Sequence, residues 1–201
     1  MGGCIYNTRM TTLPTSNTES KAISQTKKWL NTVIIEHSIC PFAKREFVNN
    51  TIHYEIIENT NTDKNTNIEQ QLEQIIINCE KLDNDAAIET SLLIFPDSLA
   101  DFDDYLDFVE IADALMHKQG YEGIYQLASF HPQYLFADSD ENDASNYTNR
   151  SPYPMLHILR EASLEKVLES YPNPENIPER NIELTRNLGL NTMQKLLSEC
   201  I

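Results

Sequence analysis

At 201 residues and 23.1 kDa, with 40% hydrophobic content, the chain can bury a core of its own without disulfide staples. Fifteen Lys and Arg against 31 Asp and Glu leave a net charge of −16, a field that repels nucleic-acid phosphates and anionic membrane surfaces. With no apolar stretch near the roughly 20 residues of a bilayer crossing, nucleic acid and membrane are excluded as expected partners.

The opening Met1-Gly2-Gly3-Cys4 invites a lipidation reading, but Tyr6 stands where N-myristoylation requires Ser or Thr, and no apolar signal core follows. Residues 1–19 are expected to form a disordered lead-in, with Met10 as an alternative start, and residues 20–201 one α/β domain. The cysteines Cys4, Cys40, Cys79 and Cys200 form no C-x-x-C pair and read as reduced thiols of a cytoplasmic protein.

Along the chain, Ile23, Leu30, Val33, Ile34 and His37 recur at helical spacing until Cys40-Pro41 blocks further helix. Residues 52–57 alternate as a half-buried strand, and residues 59–67 read as a solvated loop. Ile68, Leu72, Ile75, Ile76, Cys79 and Leu82 mark an amphipathic helix with Cys79 on its apolar stripe. Residues 91–95, a continuous apolar run closed by Pro96, suit a central strand buried on both faces. Leu99, Phe102, Leu106, Val109, Ala112 and Met116 trace the next helix, capped by Asp97 or Ser98 and stopped at Gly120. Its polar side carries most of the seven carboxylates found between Asp97 and Asp113, a solvated face or a surface for a basic partner.

A third strand is predicted over residues 123–130, running into His131-Pro132. Ser151-Pro152 then predicts the N-cap and first position of a helix through Leu156, Leu159 and Leu164 to Leu168. Two short helices close the chain at 180–186 and 191–199. The order fits an α/β, or α+β, fold: a small, mainly parallel three-stranded sheet packed with helices, followed by a helical C-terminal section.

Ligands of a parallel sheet gather at the carboxyl ends of its strands, which singles out His131 and, beside it, Tyr134. Pro132 restricts the His131 backbone and holds its ring in a defined direction; a buried histidine satisfied by a backbone carbonyl is the structural alternative. In the stretch from Asn149 to Glu161, Arg150 before a helix N-terminus predicts an anion site with Asn149. Helical spacing would place His157, Arg160 and Glu161 on one face. Cys40, with Lys44 and Arg45 close behind, is a candidate nucleophile, redox thiol or metal ligand, or an ordinary buried thiol. Asp138, Asp140, Glu141 and Asp143 lack the Gly and Glu of a calcium loop. Phosphate-loop, dinucleotide, nucleophile-elbow and zinc-protease motifs are absent from the sequence.

Cys40-Pro41-Phe42-Ala43, the hexapeptide from His131 to Phe136, and the run from Asn149 to Glu161 resemble an uncharacterised bacterial family, domain of unknown function fourteen-fifteen. The resemblance runs from about Trp29 to Leu188 and includes Ile177-Pro178-Glu179-Arg180-Asn181. It implies that the motifs belong together and brings no activity or catalytic residues with it.

Three readings follow. The first is an enzyme acting on a small anionic substrate, with His131, His157 and Cys40 catalytic and Arg150, Asn149, Arg160 and Tyr134 binding the anion. The second is a protein holding a divalent metal or haem through His131 and His157, with Cys40, Asp143 or Glu161 as further ligands. The third is an adaptor using the acidic helix face.

Overall fold

A computed structural model describes residues 20–59 and 63–201. The lead-in, with Cys4 and Met10, lies outside the described residues. Element α1 is Lys21–Trp29, and it passes without a break into a π-helical stretch, Leu30–Ile35. Next come α2, Ala43–Asn49; β1, Ile52–Ile56; α3, Lys64–Asn84; β2, Thr90–Ile94; and α4, Phe102–Lys118. The remainder is β3, Tyr125–Phe130; a 3₁₀ turn, Ala144–Thr148; β4, Met155–Arg160; α5, Glu161–Ser170; α6, Ile177–Leu188; and α7, Leu190–Ser198. None of the described helices is long and apolar enough to cross a membrane.

The sheet is mixed and has four strands in the order β1-β2-β4-β3. Its β1 and β2 are parallel neighbours, while β4 lies between β2 and β3 and runs antiparallel to both. The three strands read from the sequence therefore all point the same way, as expected, but β2 and β3 do not touch. The expected three-stranded, mainly parallel sheet is corrected by β4, whose residues the sequence reading assigns to a helix opened at Ser151-Pro152. Pro152 and Pro154 start no helix; they lead into an extended segment that the β2 edge captures, with Leu156 opposite Leu93 and Ile158 opposite Ser91.

Strand alternation sorts the side chains into two cores. Leu93, Phe95, Leu156, Ile158 and Tyr125 face α3 and α4, where they pack with Ile75, Cys79, Leu82, Phe108 and Ala112. Leu92, Ile94 and Met155 face the other way, against Trp29, Val33, Ile34 and Met193 of the remaining helices. Leu156 and Ile158 are fully buried, so β4 is apolar in near-continuous fashion and carries no polar face that would mark it as a strand.

Two helix starts also move. Element α3 begins at Lys64, inside the expected 59–67 loop. Element α4 is capped by Asp101, whose carboxylate accepts from the Asp103 and Asp104 N–H groups. Leu99, read as part of that helix, has φ 57° and cannot belong to it.

Candidate functional site

The segment after the π-helical stretch turns sharply. Ser38 adopts the left-handed region at φ 54°, and α6 reaches across to hold this turn. Arg180 donates to the Ser38 carbonyl and Asn181 Nδ2 to the Ile39 carbonyl at 2.8 Å. Cys40 is the next residue, so the Ile177–Asn181 segment and the Cys40-Pro41-Phe42-Ala43 motif form one unit, a link the sequence does not show. Burial pushes the Cys40 thiol up, against the opposing pull of the Phe42 and Ala43 backbone N–H groups and the Arg180 charge. Burial thus favours the neutral thiol, and the Ala43 N–H donates to the Cys40 carbonyl at 3.3 Å.

Cys40 lines a cavity of about 220 Å³ between the sheet and the helices α1, α2 and α5. Trp29, Leu92, Phe130, Leu159 and Leu164 give it an almost wholly apolar wall, and Arg45, Glu46 and Glu89 are also among its lining residues. His157 projects into the same cavity wall from β4, between Leu92 and Ala128 of the neighbouring strands. The π-helical stretch contributes Leu30 and Ile34. Its widened turns, with Glu36 N–H donating five residues back to the Asn31 carbonyl, are a feature often found beside functional sites.

The state of His157 follows from its partner. Thr90 Oγ1 donates its single proton to the Ile158 carbonyl at 2.6 Å, so it can only accept from His157 Nε2–H, at 2.5 Å. The proton is thereby placed on Nε2, and Nδ1 keeps its lone pair. Burial alone pushes the ring down to about 4, which keeps the imidazole neutral at physiological pH.

The other predicted residues lie elsewhere. His131 sits at the carboxyl end of β3, fully buried, with Nε2–H donating to the Leu99 carbonyl and Nδ1 accepting from Gln133 N–H, each at 3.0 Å. Burial lowers its pKa and both nitrogens are engaged, which is the satisfied-histidine alternative of the sequence reading. Arg150 lies over the Tyr147 ring and donates to the carbonyls of Tyr134 and Glu141 at 3.0 and 3.1 Å. Asn149 Nδ2 donates to the Ser129 carbonyl at 3.1 Å. Together Asn149, Arg150 and Tyr134 tie the 131–151 connection to the end of β3.

Because residues 155–160 are a strand, His157 and Arg160 point to opposite faces of the sheet, and the shared helical face expected for His157, Arg160 and Glu161 does not exist. No helix N-terminus follows Arg150 to complete an anion site. Arg160 donates to the carbonyls of Leu82 and Ile88 and to Tyr125 Oη on the α3 side, although its strand end borders the cavity. Glu161 opens α5, and Asp143 caps the 3₁₀ turn and pairs with Arg186 at 2.6 Å. Among the described residues no three His, Cys, Asp or Glu side chains gather to hold a metal ion, so His131, His157, Glu161 and Asp143 form no ligand set.

Of the expected site residues, the structure brings Cys40 and His157 to one cavity, with Arg160 at its border, and places His131, Arg150, Asn149 and Tyr134 outside it. Thr90, which sets the His157 tautomer, escaped the sequence reading; its only signal is its place at the head of the apolar run that forms β2.

Neither the curated proteins nor the solved structures yield a match to this chain. A family model does, over residues 21–195, and it spans the Cys40, His131 and His157 motifs alike. The chain belongs to the family described as protein of unknown function (DUF1415).

Proposed function

We propose that the protein works through the apolar cavity, taking up a small, predominantly apolar molecule whose one polar or reactive group meets Cys40 and His157. The observation that carries this reading is that a thiol and a neutral imidazole share the lining of a cavity otherwise walled by apolar side chains. Apolar cavities of roughly 150 Å³ hold a benzene ring, and at about 220 Å³ this one has room for a ring or a short alkyl chain with a head group. The anionic substrate expected from Arg150 and Arg160 finds less support, since both guanidinium groups are engaged by backbone carbonyls.

In the enzymatic form of the proposal, the Cys40 thiol is the nucleophile and His157 Nδ1 the base. An acyl group would form a bond to Sγ as its leaving group departs, and the thiol proton would pass to Nδ1. The thiol and the free nitrogen lone pair supply the resting protonation states that such a step needs.

The test is alkylation of the full chain with iodoacetamide and with its N-hexyl derivative, followed by mass mapping of the modified cysteine. Cys40 should react several-fold faster with the hexyl reagent, and Leu159→Trp, which fills the cavity, should abolish the difference. Equal rates for the two reagents at Cys40 would overturn the proposal.

A further inference from the structure

Arg180 stands where a helix disfavours a cation, in the first turn of α6 at the positive end of the dipole. What it reaches from there is a set of acceptors on three segments. Nη2 donates to the Ser38 carbonyl and, at 2.9 Å, to Asn181 Oδ1, while Nη1 donates to Tyr171 Oη at 3.1 Å. The Tyr171 ring in turn meets Phe42 edge to face, with centroids 5.4 Å apart. Ser38 lies two residues before Cys40 and Phe42 two residues after it, so one guanidinium fixes the chain on both sides of the thiol.

All three acceptors are neutral oxygens, and the ion pairs of the described residues do not include Arg180. A guanidinium so bound keeps its charge uncompensated, and because it is half-buried the solvent screens it weakly. Cys40 is a group within its reach that can turn negative: burial raises the thiol, and the Arg180 charge opposes that rise. When the S–H bond breaks, the electron pair stays on Sγ and the proton passes to His157 Nδ1, so a thiolate and an imidazolium replace two neutral groups inside an apolar wall. Charge created there is costly unless a fixed opposite charge stands near it.

We propose that Arg180 is the positioning residue of Cys40: from α6 it holds the backbone on either side of the thiol, and its uncompensated charge stabilises the thiolate formed during reaction. The assignment deepens the Cys40 and His157 reading of the cavity and rests on it. Arg180 gives up no proton and touches no reacting atom; it acts through the cysteine.

The test is the rate of iodoacetamide alkylation at Cys40 as a function of pH, in the full chain and its variants, with mass mapping of the product. Arg180→Gln should move the midpoint of that profile up by about half a unit, which slows alkylation roughly threefold at a fixed pH below both midpoints. Arg180→Lys, which keeps the charge and loses the fork, should restore the midpoint. Asn181→Asp keeps Arg180 but sets a carboxylate against it and should also raise the midpoint, so it decides the matter if Arg180→Gln does not fold. The other charged and titratable side chains that share the cavity lining with Cys40 are Arg45 and Glu46 of α2, which pair with each other, Glu89, Arg160, and His157, which stays neutral above about 4. They are common to parent and variants and cancel in the comparison. Midpoints unmoved in Arg180→Gln and Asn181→Asp would overturn the proposal, and so would an equal rise in Arg180→Lys and Arg180→Gln, which would assign the effect to lost hydrogen bonds rather than to charge. The preference of Cys40 for the N-hexyl reagent tests the cavity reading separately: its absence in the parent sinks that reading, whereas a retained preference with unmoved midpoints sinks the role of Arg180 alone.

Discussion

Replacing His157 by Phe should flatten the acid side of the stability profile. In the unfolded chain the ring takes a proton near its ordinary 6.5, whereas in the fold it does so only near 4. Above pH 6.5 it is neutral in both states and costs nothing. As pH falls from 6.5 towards 4, the unfolded chain binds a proton that the folded chain refuses, and stability drops; below 4 both states are protonated and the loss levels off. At about 1.4 kcal/mol per pH step the full gap amounts to about 3 kcal/mol. The ring borders an open cavity and is not sealed, so solvent screening reduces the working figure to about 2 kcal/mol. Phe keeps the ring shape, and Thr90 Oγ1 keeps its bond to the Ile158 carbonyl, so the variant loses one accepted hydrogen bond and little packing. The assay is urea unfolding at pH 7.5, 6 and 5, followed by the fluorescence of Trp29, the single tryptophan and 1% exposed in the fold. His131 also resists protonation and loses stability in the same direction, so the informative quantity is the difference between parent and variant. If that difference does not change between pH 7.5 and 5, the neutral His157 of the cavity is refuted.

Three further outcomes follow from the packing. Arg160→Met removes the guanidinium from the Leu82 and Ile88 carbonyls and should cost about 2–3 kcal/mol in urea unfolding; a change within error would mean those contacts are absent in solution. Ser91→Ala leaves the fully buried Asn78 Oδ1 without its 2.7 Å donor and should cost about 1–3 kcal/mol, with Asn78→Leu restoring part of the loss in the double variant. In hydrogen exchange the amides of β4 should be among the slowest, because the strand is paired on both sides, while those of the edge strand β1 exchange sooner. Loop-like exchange across 155–160 would show the strand order to be wrong.

Legibility from the sequence tracked how local the determining interaction is. Strand β1 declares itself by alternation, and β2 by its apolar run before Pro96; Gly120, with φ 84°, stops α4 as its chemistry suggests. Residues 155–160 mislead because Met, Leu and Arg are good helix formers, and the serine and prolines just before them resemble a helix start. Only pairing to β2 and β3, tens of residues away, decides the matter. The candidate site splits along the same line. Cys40 and His157 are visible as residue types, but their convergence depends on the β4 register and on the grip of Arg180 and Asn181 on the Ser38–Ile39 turn. The expected gathering of His131 and Arg150 with them fails because those two sit at the carboxyl end of β3, where their polar atoms fasten loops.

The insertion of β4 between β2 and β3 has a consequence for how the polypeptide is made. During vectorial synthesis β1, α3, β2, α4 and β3 all emerge before the strand that joins them, and β2 waits with one full edge, Thr90 to Ile94, unpaired. An apolar edge of that kind is a template for pairing with other chains, and closing a long loop delays the contact that covers it. Ribosome-bound chains that end before Met155 therefore carry an open edge in the middle of the future sheet, and the last strand to be translated is the one that seals it.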